Sequence, residues 1–223
     1  MAGGGAWQAE QKAPLTAPMQ GYKPLRRGEV TAALVASLCV IGALWFLSNI
    51  GGAVGIARAD DWSYLLTQFE FADSGRFVMN NWAVTMLIGQ TLIAAPIVAF
   101  FGPDITALQV LVAGLSAAAL VATYVVIRQV LSAGWSALAV ASLAFSPVFG
   151  PSVVSFMTDI PSLLFLSLSL LLGIQALRGP TVRWYPFWAS GLLALIAFTF
   201  RDYAIIGFPA IVIVGWLLHK NRR

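Results

Sequence analysis

WAVTMLIGQTLIAAPIVAFF, residues 82–101, decides the course of everything that follows it. The run is long and apolar enough to cross a bilayer, which takes roughly 20 apolar residues in a helix. If it crosses, Arg128, Arg178, Arg183 and the terminal His219, Lys220, Arg222 and Arg223 fall outside the cell, while Asp159 and Asp202 fall inside. That arrangement inverts the tendency of Lys and Arg to collect in short cytoplasmic loops. If the run is instead a re-entrant or interfacial segment, softened by Gly89, Gln90 and Pro96, every basic group is cytoplasmic. Asp60, Asp61, Asp159, Arg201 and Asp202 then share the outer face. The charge pattern favours the second arrangement, with six spans and both termini in the cytoplasm.

Those spans are predicted at residues 30–50, 105–127, 131–146, 161–177, 184–200 and 203–218. Composition supports them. Of 223 residues, 59% are hydrophobic and 10% charged, where a soluble domain is about half apolar and about a quarter charged. The mean hydropathy of +0.83 is that of an integral membrane protein, and the length leaves no room for a large extramembrane catalytic domain. The net charge of +4 does not indicate a nucleic-acid partner, because the basic residues stand in small groups between apolar runs and so report orientation. Residues 1–29, rich in Gly, Pro and Gln at their start and ending near Lys23, Arg26 and Arg27, are expected to form a disordered cytoplasmic tail. Residues 30–223 form the transmembrane domain. The tail lacks the features of a cleaved leader, so the first span is expected to stay. The lone Cys39 has no partner for an intrachain disulfide.

The most polar stretch lies upstream of the deciding run: GGAVGIARADDWSYLLTQFEFADSGRFVMNN, residues 51–81. Within it Trp62, Leu65, Leu66, Phe69 and Ala72 recur at helical spacing opposite Ser63, Thr67, Gln68 and Glu70, which predicts an amphipathic helix in the membrane interface. Asp60 and Asp61 open that helix. Acids at such a position commonly cap free N–H groups, so on their own they fit a structural role as well as a catalytic one. Asp159, just ahead of Pro161, fits helix initiation equally well. Arg201 and Asp202 interrupt an apolar stretch, as a charged turn with a local ion pair or as a ligand contact. What draws these residues together is the shared outer face.

No nucleotide loop, dinucleotide turn or His-plus-carboxylate metal spacing is present, and the single histidine sits in the cytoplasmic tail. Neither a cofactor nor a metal is expected. The chemistry available is carboxylates, arginines and aromatic rings at one membrane face, a set suited to activating a hydroxyl and holding a phosphate.

ARADDWSYLLTQFEFADSGRFV resembles the first outer loop of the polyprenyl-phosphate-sugar-dependent glycosyltransferases. It carries an acidic pair, Tyr64 four residues after the first acid, and Ser74-Gly75 further on. That superfamily, of the fold called GT-C, includes the protein O-mannosyltransferases and the aminoarabinose transferases (the glycosyltransferase family 39 type). MTDIPSLLF is similar to the family's acid-and-proline start of a later span, and FTFRDYAIIGFPAIVI to its polar break before a proline-containing helix. The resemblance implies an all-α, polytopic transmembrane bundle of GT-C type with an interfacial helix in its first outer loop. It implies Asp60 as the catalytic carboxylate. Asp61 stands where the family usually has Glu, Asp159 would line the same cavity, and Arg58 and Arg201 would contact phosphate, with Tyr64 beside them. Relatives usually continue with more spans, so the chain is expected to be the N-terminal part of a longer domain.

The expected function is transfer of a sugar from a polyprenyl-phosphate donor to a hydroxyl of a protein, lipid or glycan, with inversion, at the outer face of a bacterial plasma membrane. Asp60 would be the general base. A transporter subunit, or a non-catalytic assembly partner, are the alternatives.

Overall fold

The computed structural model describes residues 25–220 except 59, 80, 81, 83–85 and 180, so most of the expected N-terminal tail lies outside the described residues. The described chain is helical throughout, as a membrane chain must be when no water is at hand to satisfy exposed backbone groups. The helices are α1 (Arg27–Ile50), α2 (Asp61–Ser74), α3 (Ile88–Phe101), α4 (Ile105–Ile127), α5 (Ala133–Ala144), α6 (Phe149–Val153), α7 (Asp159–Leu177), α8 (Trp184–Phe198) and α9 (Gly207–Lys220), with a 3₁₀ turn at Asp202–Ile206 before α9. The chain is an all-α membrane helix bundle. Of the six predicted spans only α1, α4 and α7 reach full spanning length; α5, α8 and α9 are shorter, at 12, 15 and 14 residues. Their ends fall at Ser146-Pro147, at the Arg201-Asp202 break and at Gly207, where polar or helix-breaking residues cut the apolar runs.

Helix contacts sort the loops into two ends. At one, Arg128 after α4 donates through Nε to Glu29 at the start of α1 (3.0 Å), and Arg178 after α7 donates to the Gln129 side chain. At the other, the loop after α1 meets the start of α4: Gly55 N–H donates to Gln109 Oε1 (2.8 Å), and Gln109 Nε2 donates to the Ile56 carbonyl (3.2 Å). The start of α7 and the end of α8 lie at that second end as well, joined by Asp159 and Arg201.

Among the described residues of the deciding run, only Ile88–Phe101 are helical. At the start of α3, Gly89 N–H donates to the Thr199 carbonyl (3.2 Å) just past α8. Its far end stops at Gly102, at φ 74°, and leads straight into Asp104, which caps α4 by accepting from Thr106 N–H (2.8 Å). The two ends of α3 are thus tied to the end of α8 and to the start of α4, and at 14 residues the helix is shorter than a full crossing.

Small residues set the close approaches. Ser169 and Ser190 exchange hydrogen bonds of 2.8 Å with each other's carbonyls between α7 and α8, and Thr123 meets Ser167 (3.2 Å) between α4 and α7. Such pairs bring helix backbones together where lipid supplies no hydrophobic drive. Gly89 is the tightest: a Cβ there would stand 2.4 Å from Thr199 Oγ1 and 2.7 Å from the Phe200 ring. We expect Gly89→Ala to cost about 1–3 kcal/mol as overpacking, read as a drop in thermal midpoint of the purified protein. An unchanged midpoint would mean that α3 is not pinned against the 199–200 segment.

Helix α2 departs from the predicted amphipathic arrangement. Trp62 and Leu66 face outward as expected, but Leu65 is buried beside Tyr64, and the polar Ser63, Thr67 and Gln68 are buried too. The expected polar face is turned into the protein. Ser63 and Thr67 tolerate this by donating to the carbonyls of Asp60 (2.9 Å) and Ser63 (3.1 Å) in the preceding turn.

Candidate functional site

Adjacent residues on a helix point about 100° apart, so the two acids that open α2 cannot share an environment. Asp60 is exposed, and although it occupies the N-cap position its side chain makes no capping hydrogen bond. Its backbone carbonyl does the structural work, accepting from Ser63 N–H (3.1 Å). Asp61 is fully buried. Its Oδ1 accepts from Arg58 N–H, and its Oδ2 from Phe156 N–H at 3.3 Å, tying the loop before α2 to the segment before α7. Burial pushes the Asp61 carboxyl above the ordinary aspartate value of 3.8, against the opposing pull of those two amides and of the Arg58 charge.

Asp159 and Arg201 meet across 42 residues of sequence, Nη2 to Oδ2 at 2.5 Å. The local Arg201–Asp202 pair allowed by the sequence does not form; Asp202 Oδ1 accepts instead from Tyr203 N–H (3.0 Å). Nor does Asp159 initiate its helix by capping, since the N-cap position belongs to Thr158, whose side chain makes no capping bond either. Burial works against the Arg201 charge, but the hydrogen bond and negative charge of Asp159 outweigh it, and the guanidinium is held above its usual range. Tyr64, on the inward face of α2, lies within electrostatic reach of Arg201.

The structure thus brings Asp61, Tyr64, Asp159 and Arg201 to one end of the bundle, with Asp60 exposed at the rim. Arg58 is exposed there too, held in place through its backbone. Three buried residues at this end escaped the sequence reading. The amphipathic pattern puts Gln68 on the polar face of α2, Gln90 stands inside an apolar run, and Thr158 is overshadowed by the acid of Asp159. An amide inside an otherwise apolar run is the signal that marks Gln90. A separate cavity of about 440 Å³ between α1, α4 and α5, lined largely by alanines such as Ala36 and Ala137, contains none of these residues.

The arrangement supplies an accessible carboxylate able to take a proton, a guanidinium already neutralised on one side, and a second arginine free at the rim. These are the group types that phosphate-ester binding and proton transfer call for.

Residues 82–223 match the family model described as dolichyl-phosphate-mannose-protein mannosyltransferase, well over half of the chain. Asp159 and Arg201 fall inside the matched region, while Asp60 and Asp61 precede it. No curated protein and no solved structure matches the chain.

Proposed function

The chain belongs to the dolichyl-phosphate-mannose-protein mannosyltransferase family, and from that premise we propose that it transfers a sugar from a polyprenyl-phosphate donor to an acceptor hydroxyl, with Asp60 as general base. Membership makes it a membrane glycosyltransferase that draws on a lipid-linked sugar. The finer reading is carried by one observation: Asp60 opens α2 as an exposed carboxylate that makes no capping bond, whereas its neighbour Asp61 is buried and engaged by backbone amides and Asp159 is paired with Arg201.

In the proposed reaction Asp60 accepts the proton of the acceptor hydroxyl as its oxygen attacks the anomeric carbon. The bond from that carbon to the phosphate oxygen breaks, and polyprenyl phosphate leaves with the bonding pair. Attack opposite the leaving group inverts the anomeric centre. A carboxylate is a weak base for an alcohol, so much of the acceleration falls to positioning and to cations facing the departing phosphate. Arg58, exposed beside Asp61, and Arg201, whose Nε has no partner, supply that charge. The acceptor is a hydroxyl of a protein, lipid or glycan.

The site faces the outside of a bacterial plasma membrane in this reading, with the basic end in the cytoplasm. Cysteines placed at the exposed Ser74 and Asp202 should react with an impermeant thiol reagent in intact cells, whereas one at Thr181 should react only after permeabilisation. The reverse pattern would put the acidic end in the cytoplasm and remove the proposed donor side. Release of labelled sugar from a polyprenyl-phosphate sugar by the purified chain tests the activity itself.

A further inference from the structure

A buried polar atom that finds no partner has given up its hydration for nothing, so folded chains rarely leave one. Among the described residues, the buried side-chain atoms without a partner belong to four residues: both carboxamide atoms of Gln68, both of Gln90, Oγ1 of Thr158 and Nε of Arg201. Other buried hydroxyls of the bundle, on Ser63, Thr67, Ser116, Ser169 and Ser190, do reach carbonyls. Gln68, Gln90 and Thr158 each stand near a residue tied to Arg201 or to the segment just before it. Gln68 stands one turn beyond Tyr64 on the buried face of α2, and Tyr64 is within reach of Arg201. Gln90 follows Gly89, which is bonded to Thr199 two residues before Arg201. Thr158 precedes Asp159, which holds Arg201.

We infer that Gln68 and Gln90, supported by Thr158, read the hydroxyls of the sugar carried by the lipid donor, leaving the Arg201 Nε to the phosphate. The inference rests on the donor reading above and assigns residues to it. A carboxamide offers two donors and one acceptor without net charge, and a sugar hydroxyl is donor and acceptor at once, so two carboxamides complement several hydroxyls of one ring. The charges at this end do not compete for that role: Asp61 is committed to two amides, and Asp159 and Arg201 neutralise each other. Gln68 and Gln90 are 0% and 2% exposed, so water does not satisfy them. The sugar reaches them as α2 and α3 part from residues 199–201, and the hydrogen bonds it makes offset that opening.

The test uses Gln68→Met and Gln90→Met, which keep length and lose polarity, together with Thr158→Val. Each full-length variant is compared with the unaltered chain in binding a polyprenyl-phosphate mannose and the same polyprenyl phosphate without sugar. The unaltered chain should prefer the sugar-bearing lipid. Each Met variant should lose about tenfold of that preference, the equivalent of one good hydrogen bond. Binding of the bare polyprenyl phosphate should not change, and thermal midpoints should hold or rise because an unpaired buried group has been removed. Thr158→Val, nearly isosteric, carries the test should a Met variant fail to fold, and should lose preference in the same direction. Variants that keep the full sugar preference overturn the inference, as does an unaltered chain that binds both lipids equally. An unaltered chain that binds neither lipid overturns the donor reading itself.

Discussion

Asp60→Asn is expected to lower sugar transfer by about 10²- to 10⁴-fold, the usual loss when a general base is removed, while the protein inserts and unfolds as before. The structural half of this expectation follows from what Asp60 does not do. Its side chain makes no capping bond, and the contact that matters to α2, its carbonyl to Ser63 N–H at 3.1 Å, belongs to the backbone and survives the change. Asparagine is nearly the same size and suits the first position of a helix equally well. The chemical half follows from exposure, because an acceptor hydroxyl can approach Asp60 and cannot approach the fully buried Asp61. Turnover of a labelled polyprenyl-phosphate sugar, measured beside the thermal midpoint, separates the two halves. Near-native turnover by a well-folded Asp60→Asn protein would end the case for this carboxylate as the base.

The bundle was legible because hydropathy is a property of long runs, and a span announces itself over some twenty residues. The bounds of α3 were less legible: the apolar run of residues 82–101 reads as continuous, while the helix occupies Ile88–Phe101 and is tied at Gly89 to the Thr199 carbonyl. The division of labour between Asp60 and Asp61 was not legible, since adjacent identical side chains differ only in helical phase, and phase depends on which face the fold buries. The Arg201–Asp159 pair was hidden for another reason: sequence proximity pointed to Asp202, and the true partner lies 42 residues away. Gln68 was misread because the amphipathic pattern of α2 says that one face is polar but not what that face meets. On a soluble protein it would meet water. Here Ser63, Thr67 and Gln68 are turned into the protein, and a pattern that normally marks the outside marks the inside.

Asp61→Ala should cost the protein stability, on the order of 1 to 3 kcal/mol, because it strands the buried Phe156 N–H and removes the partner of the less buried Arg58 N–H, while relieving the burial of a carboxylate. The amides belong to Arg58, three residues before Asp61, and to Phe156, 95 residues after it, so the loss also frees the loop bearing Asp60 from the segment bearing Asp159. The pH dependence has a definite sign. The folded pKa of Asp61 is raised above 3.8, so ionising this group costs more in the folded chain than in the unfolded one. Its contribution to stability is therefore fully present below 3.8 and is lost as pH rises through the raised folded value, after which it stays level. The alanine variant has no such group. The stability gap between the two proteins should accordingly be widest in acid and narrow as pH rises through that window, an order opposite to that of a surface aspartate held in a salt bridge. Denaturation of both proteins in detergent from acid to neutral pH measures the gap directly. A gap that widened on going to neutral pH would mean that the two amides outweigh burial, and that Asp61 is a stabilised anion held in reserve beside Asp60, not a neutralised strut beneath it.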